Sequence, residues 1–332
     1  MAEKIVSPGV FTNEIDQTFL PAAVADIGAA LIGPTLKGPA GIPTVVTSFS
    51  DFQNKFGDVF TSGSDRVQFL TSHAAEQYLR NSNTLTVVRV LEGSFSPATA
   101  SIPTGSEVYS AGPSDGTCFK LRTLTDGTIN NNASSTATTN SVLVSGSKHN
   151  IRWEVSNINN KKGTFTVAIR RGDDSIKRKQ TLETFTGVNL DPNSPNYIAK
   201  AIGDQRYQVK TDENSKPFLE LSGSYPNKSK YVTVEAVSNT IDYLDENGEI
   251  RLNHLSASLP NAGSGSSLGG FSGGLNGFSG FDALGNFDGT LTGVTPCNFY
   301  ENISANNSQG FDLTTAAEGQ NAYVQALDLL SN

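Results

Sequence analysis

Cysteine, histidine, tryptophan and methionine are nearly absent: the 332 residues hold two, three, one and one of them. Cys118 and Cys297 form no CxxC pair, and two thiols without clustered histidines are too few ligands for a structural zinc site. A Cys118–Cys297 bridge would close a very long loop with no other support, so both are read as free thiols of a reducing compartment. His73, His149 and His254 have no partner three or four positions away, so no pair of imidazoles shares a helix face. No HExxH and no GxxxxGK[ST] occurs. No catalytic, cofactor-binding or metal-binding residue is assigned, and the chain is read as a non-enzyme that needs no cofactor.

Charge is also scarce, at 17% of residues, and its balance of −8 argues against direct nucleic-acid binding by the chain as a whole. One stretch runs against that balance: Lys148, Arg152, Lys161, Lys162, Arg170, Arg171, Lys177, Arg178 and Lys179. It reads either as the solvent face of a hairpin or as a patch that meets an acidic neighbour. No apolar run is long enough to cross a bilayer, and Met1-Ala2-Glu3-Lys4 lacks the apolar core of a signal peptide. No membrane insertion is expected.

What fills the chain is Ser, Thr, Asn and 32 glycines, a mixture that suits many short strands and turns. The pattern predicts an α+β fold: a β-rich mixed sheet with a few flanking helices, preceded by an extended N-terminal arm. Residues 1–20 form the arm. Residues 21–332 form a single domain with surface insertions at about 93–117, 126–148 and 263–293, and its segments 21–92 and 118–332 share one sheet and core. Residues 23–32 read as a buried strand. Ser50 and Gly57 bracket a short helix. A longer helix runs from Ser64 to Arg80 with a stripe of Val67, Leu70, Ala74 and Tyr78. Thr84 to Leu91 is a β-branched strand, so strand, helix and strand make a crossover unit. Further strands are expected at 119–125, 151–155, 164–170, 179–185, 207–209, 218–221 and 231–237. Ser194 is read as capping a helix that starts at Pro195. Arg171-Gly172-Asp173 and Asn247-Gly248 read as turns, the latter in preference to a calcium loop built on Asp242, Asp245, Glu246 and Glu249. In the glycine-rich stretch, Phe271, Phe278, Phe281 and Phe287 are unusual for a pure linker, and some of them are expected to anchor it. Thr315-x-x-Glu318 forms a capping box before a last helix striped by Tyr323, Ala326, Leu327 and Leu330.

Ser7-Pro8-Gly9 is a turn signal, and after it Val10, Phe11, Thr12, Asn13, Glu14 and Ile15 alternate as a strand. A strand at the tip of a chain frays unless something ties it down. This segment resembles the N-terminal arm of contractile tail sheath proteins. The resemblance continues in family order. Val24 to Leu31 with Ile32-Gly33-Pro34 and Lys37-Gly38-Pro39-Ala40 is similar to the first core strand and its exit. Ser50-Asp51-Phe52-Gln53-Asn54-Lys55-Phe56-Gly57 is similar to a short helix of the family, Thr86-Val87-Val88-Arg89-Val90 to its "L-x-V-V-R-V" strand, and Leu190 to Asp204 to its "D-P-x-S-x-N-Y-V…I-x-D" element.

The resemblance implies a structural subunit of a bacteriophage contractile tail sheath. Such subunits stack as hexameric rings around the tail tube and contract to drive the tube through the host envelope. It implies homo-oligomeric contacts between neighbouring sheath subunits, contacts with the tail tube protein, baseplate and tail terminator, and an inter-subunit strand at Val10–Ile15. It places the protein in the host cytoplasm during assembly and then in the virion tail. It also implies that this chain lacks the usual C-terminal sheath domain and is mainly monomeric by itself. A second reading is a carbohydrate-binding or adhesin-like surface module displaying Tyr225, Phe271, Phe278 and Phe281.

Overall fold

The computed structural model describes residues 28–62, 65–91, 95–105, 116–132, 141–213, 216–251, 258–276 and 322–331. The arm, Cys297, His254, the capping box and Phe278, Phe281 and Phe287 lie outside the described residues.

The crossover unit forms, but the strand read as buried over 23–32 is described only from Gly28 onward and is partly buried, with Ala30 exposed. Strand β1 (Ala29–Gly33) and β2 (Thr44–Val46) flank β5 (Leu85–Arg89), with β1 parallel and β2 antiparallel to it, so this small sheet is mixed. Helices α1 (Phe49–Phe56) and α2 (Leu70–Leu79) cover one face. Phe52 and Phe56, one helical turn apart, are fully buried against Val46, Leu85 and Val87. Burial of each ring stabilises the unit by about 1.5–3 kcal/mol. The other face of the sheet takes α4 (Ala322–Ser331): Ala326 and Leu330 meet Ile32, Val88 and Val90. The alternation along Thr86-Val87-Val88 explains this two-sided burial, since successive strand side chains point to opposite faces.

Helix boundaries differ from the sequence reading. Ser48, not Ser50, is the N-cap of α1; its hydroxyl accepts from Asp51 N at 3.1 Å. Gly57 ends the helix at φ +75, a backbone region that a Cβ disfavours, and its N–H donates to Gln53 O. The helix expected from Ser64 begins only at Leu70, because β3 (Phe60–Ser62) and β4 (Asp65–Val67) pair as a hairpin first. The buried face of α2 is therefore Thr71, Ser72 and Ala75, and Leu70 is exposed. On α4, Leu327 is likewise exposed while Ala326 and Leu329 are buried.

The second body is a two-layer β structure. One layer is the order β13-β7-β6-β14, made of β6 (Phe95–Pro103), β7 (Thr117–Asp126), β13 (Val232–Val237) and β14 (Leu275–Asn276). The other is the meander of β8 (Ile151–Asn159), β9 (Thr164–Arg171) and β10 (Thr181–Val188). Ile102, Phe119 and Leu121 from the first layer share one core with Trp153, Phe165, Val167 and Ile169 from the second. Phe119 stacks on Phe165 with ring centroids 5.7 Å apart. Helix α3 (Ile198–Ile202) plugs one end with Ile198 and Ile202, both fully buried. A separate hairpin, β11 (Arg206–Thr211) with β12 (Pro217–Ser222), lies beside it.

The reading of 93–117 as surface connection is corrected by β6, which sits inside a sheet between β7 and β14. Its inward residues Ala98, Ala100 and Ile102 are mostly small, and its prolines fall at register shifts of the ladder, so composition hid a strand. Pro195 and Asn196 are turn rather than helix, and Tyr197 forms a bridge with Asn189; the Ser194 hydroxyl accepts from Asn189 Nδ2 and Asn196 N instead of capping α3. The Asn247-Gly248 turn forms as expected, closed by Asp245 N–H to Glu249 O at 2.7 Å. The expectation of one sheet shared by 21–92 and 118–332 is corrected: they occupy separate sheets, and what they share is the α4 contact and a polar joint. The overall class is α+β and β-rich.

Residues 258–276 are a strap across the sandwich. Val155 exchanges both backbone hydrogen bonds with Gly263 at 2.8 Å, and Thr99 does so with Ser272 at 2.8 and 2.9 Å. Phe271 is fully buried in the core, so this half of the glycine-rich stretch is anchored as its aromatic content implies.

Candidate functional site: a polar joint and a cationic cleft

Arg89 ends β5, the strand that carries the Val-Val-Arg-Val pattern. Its side chain, 1% exposed, donates from Nη1 to Gly38 O and to Asp126 O, each at 2.7 Å. Asp126 ends β7; its Oδ2 accepts from Ala40 N at 2.8 Å and its N–H donates to Gly38 O at 3.2 Å. The two bodies are thus clasped by charge-assisted bonds to backbone, which are directional and specify orientation. Burial pulls the Arg89 guanidinium down to about 10, against the opposing pull of Asp126. Burial raises the Asp126 carboxyl, while the Ala40 N–H, Arg89 and Arg122 hold it back. Gly38 stands at φ +114, and a Cβ there would meet the Phe56 ring at 2.6 Å, so the clasp needs glycine at this position.

Beside the joint opens a cleft of about 1380 Å³. Its walls are the 37–45 segment, α1, the end of β7, the 148–151 turn and strand β11. Seven lysines and arginines line it against three acids, in a chain whose total balance is −8. Lys55 is paired with Asp51 at 2.9 Å, and Arg171 is held by Asp173. Lys37, Arg122, Lys148, Arg206 and Lys230 make no ion pair among the described residues. Burial and the neighbouring Lys148 pull the Lys37 ammonium down to about 8. Burial, Lys37 and Lys148 push His149 to about 4, so its ring is neutral at neutral pH; it packs 3.3 Å from Val59 O.

The basic stretch found in the sequence does not form one patch. Arg152 and Arg170, each 1% exposed, are core residues. Asp174 receives Arg152 Nη1 at 3.0 Å and Arg170 Nε and Nη2 at 2.6 and 2.8 Å; Arg170 Nη1 also reaches Glu154 at 2.6 Å. Both the solvent-face and the interface readings are therefore corrected for these two arginines. They sit on adjacent strands, where Arg152 pairs with Arg170 in the ladder, so one carboxylate serves both. The turn reading of Arg171-Gly172-Asp173 holds.

Tyr225 packs edge-on against Tyr197 at 6.1 Å beneath Lys200, and Phe271 is buried, so neither forms the open aromatic platform that a sugar-binding face requires. Among the described residues, no three His, Cys, Asp or Glu side chains gather as metal ligands. No helix among the described residues is long and apolar enough to cross a membrane. Cys118 is buried, its thiol reaching Ser258 O at 3.3 Å, and burial raises its pKa. In a Cys297→Ser background the native protein is expected to resist a thiol reagent at pH 8 and to be labelled at once in urea. Fast labelling of the native protein would show that this core opens readily.

No protein-family model and no curated protein matches the sequence. Among solved structures, a sheath tail protein from Desulfitobacterium hafniense is similar over 72% of this chain and 41% of its own, at 12% identity and a TM-score of 0.26. A sheath tail protein from Listeria innocua is similar over 64% of this chain and 34% of its own, at 12% identity and a TM-score of 0.27. This chain therefore spans well under half the length of either structural neighbour, and both neighbours are sheath tail proteins.

Proposed function

We propose that the chain is a structural, non-enzymatic subunit of a contractile phage tail sheath. The observation that carries this reading is the run of five segments in family order, from Ser7–Asp16 through Val24–Ala40, Ser50–Gly57 and Thr86–Val90 to Leu190–Asp204. Three of those segments supply the clasp or the core of the crossover unit: Gly38 and Ala40, Phe52 and Phe56, Val87 and Arg89. Subunits stack as hexameric rings on a tail tube, formed in the host cytoplasm and carried in the virion tail, with baseplate and terminator at the ends. Residues 21–332 act as one domain. Val10 to Ile15 are lent to a neighbouring subunit as an added strand, which gives directional backbone bonds. Either Pro21 to Ala23 or the Asp16 to Leu20 stretch is the hinge about which the body rotates during contraction.

The test is electron microscopy of assembled material from the polypeptide as the particle carries it. The double substitution Val10→Pro and Phe11→Asp removes a ladder donor and an apolar contact. Loss of tubes with an unchanged melting temperature is expected. Regular tubes from that variant would exclude the arm as the linkage, and wild-type particles without tubes would exclude the sheath reading.

A further inference from the structure

The cationic cleft shares Ala40 and Asp126 with the clasp, but most of its cations lie outside that joint, and its chemistry is unusual for this chain. Acids outnumber bases in the sequence by 32 to 24, yet this concave surface holds five cations without an ion pair among the described residues. Arg206 Nε is buried and has no hydrogen-bond partner, a state that costs stability unless something supplies an acceptor. Arg122 stands near enough to Arg206 for their charges to repel, and burial together with that repulsion lowers the Arg122 pKa against the pull of Asp126 and Glu235. Like charges gathered in a recess mark a place where an anion is expected to complete the balance.

The walls add a second requirement. Strand β11 pairs only with β12 among the described residues, and four consecutive residues of it, Arg206 to Val209, line the cleft. Strand β2 is the outer strand of its sheet, and Thr44 and Val45 line the facing wall. Residues of two outer strands, each with one unpaired edge among the described residues, thus line the same recess, and Val45 and Tyr207 lie exposed on them, 51% and 54% accessible. An open edge offers backbone donors and acceptors to an extended chain. A simple inorganic anion would use the cations and leave these edges and apolar side chains idle.

We propose that the cleft is a docking site for an acidic, extended segment of a neighbouring protein chain, added as a strand along β11 with its carboxylates on Arg122, Arg206 and Lys148. Recognition divides as in other strand additions: backbone bonds supply attachment, and the cations select the sequence. The edges favour a polypeptide over a nucleic acid, and the acidic remainder of the molecule repels a long polyanion. This site is distinct from the lent arm and stands whether or not the assembly reading holds.

The test is fluorescence anisotropy with a labelled ten-residue peptide of alternating Glu and Val, beside the Lys–Val peptide, a single-stranded oligonucleotide and inorganic phosphate as competitors. The Glu–Val peptide is expected to bind, to weaken more than tenfold between 50 and 300 mM salt as screened charge contacts do, and to slow amide exchange in residues 206–211. Arg206→Gln combined with Lys148→Glu is expected to lose at least tenfold in affinity at an unchanged melting temperature. If that pair unfolds the protein, Lys148→Glu alone, on an exposed side chain, is expected to lose severalfold. Equal binding of the two peptides, no binding at low salt, or tighter binding of the oligonucleotide would each overturn the proposal. So would complete displacement by millimolar phosphate, or an unaltered affinity in the variants.

Discussion

Replacing Asp174 with alanine is expected to destabilise the protein by about 3–5 kcal/mol, because it removes the carboxylate shared by two buried guanidiniums and strands that of Arg152. Arg152 and Arg170 are each 1% exposed, and Asp174 takes three of their hydrogen bonds through its two carboxylate oxygens. Its Oδ2 also accepts from Gln180 N at 3.0 Å, so the approach to β10 loses its tie as well. Glu154 remains for Arg170, but Arg152 keeps only the carbonyls of Ser141, Asp174 and Leu268. Urea unfolding followed by the fluorescence of Trp153, the single tryptophan and part of the same core, reads the loss directly. Adding Arg152→Met and Arg170→Met to the same variant is expected to recover most of it, since the penalty belongs to unpaired buried charge. Arg171→Ala, at a half-exposed local pair with Asp173, is expected to cost under about 1 kcal/mol. A loss below about 1 kcal/mol for Asp174→Ala would mean that water reaches both arginines and that the network is not a core element.

Phe271→Ala is expected to cost about 3–5 kcal/mol, the usual range for removing a fully buried aromatic ring. Its effect should also be local in a particular way. The strap holds the sandwich through amides that cross between sequence-distant segments: Thr99 and Ser272, Asn132 to Phe271 O, Trp153 to Gly269 O, Val155 and Gly263. With the ring gone, exchange at these amides is expected to accelerate before that of β9, whose ladder bonds run to β8 and β10. Gly269 packs directly on the Trp153 backbone, where an added Cβ would collide, so the strap lies close against β8 at this point. Unchanged exchange at Thr99 and Ser272 in the variant would show that the ring follows the strap rather than fixing it.

The contrast between these two residues shows what was legible in the chain. Phe271 was visible as an aromatic in a glycine-rich run, because a purely solvated linker has no use for a large apolar ring. Asp174 was invisible: it reads as one more turn residue after Arg171-Gly172-Asp173, and the arginines beside it read as surface. Only pairing of β8 with β9 sets Arg152 opposite Arg170, and only the return at 172–180 brings one carboxylate beneath both.

By itself the sequence determined the local elements whose signals are short-range. Of the crossover strands, β5 follows from a β-branched run and β1 from a small apolar one; the α1 helix follows from two phenylalanines one turn apart ending at a glycine, and the β8–β9 hairpin and the Asn247-Gly248 turn from alternation and turn residues. Those choices depend on steric and rotamer preferences within a few residues, and they are written in the chain. The tertiary structure alone decided the helix faces, the strand at Phe95–Pro103, the division into separate sheets and the charge of the cleft. Each of these turns on which distant groups share a low-dielectric or concave space. Arg122, Lys37 and Arg206 lie far apart in sequence, and no local pattern records that folding sets them around one recess.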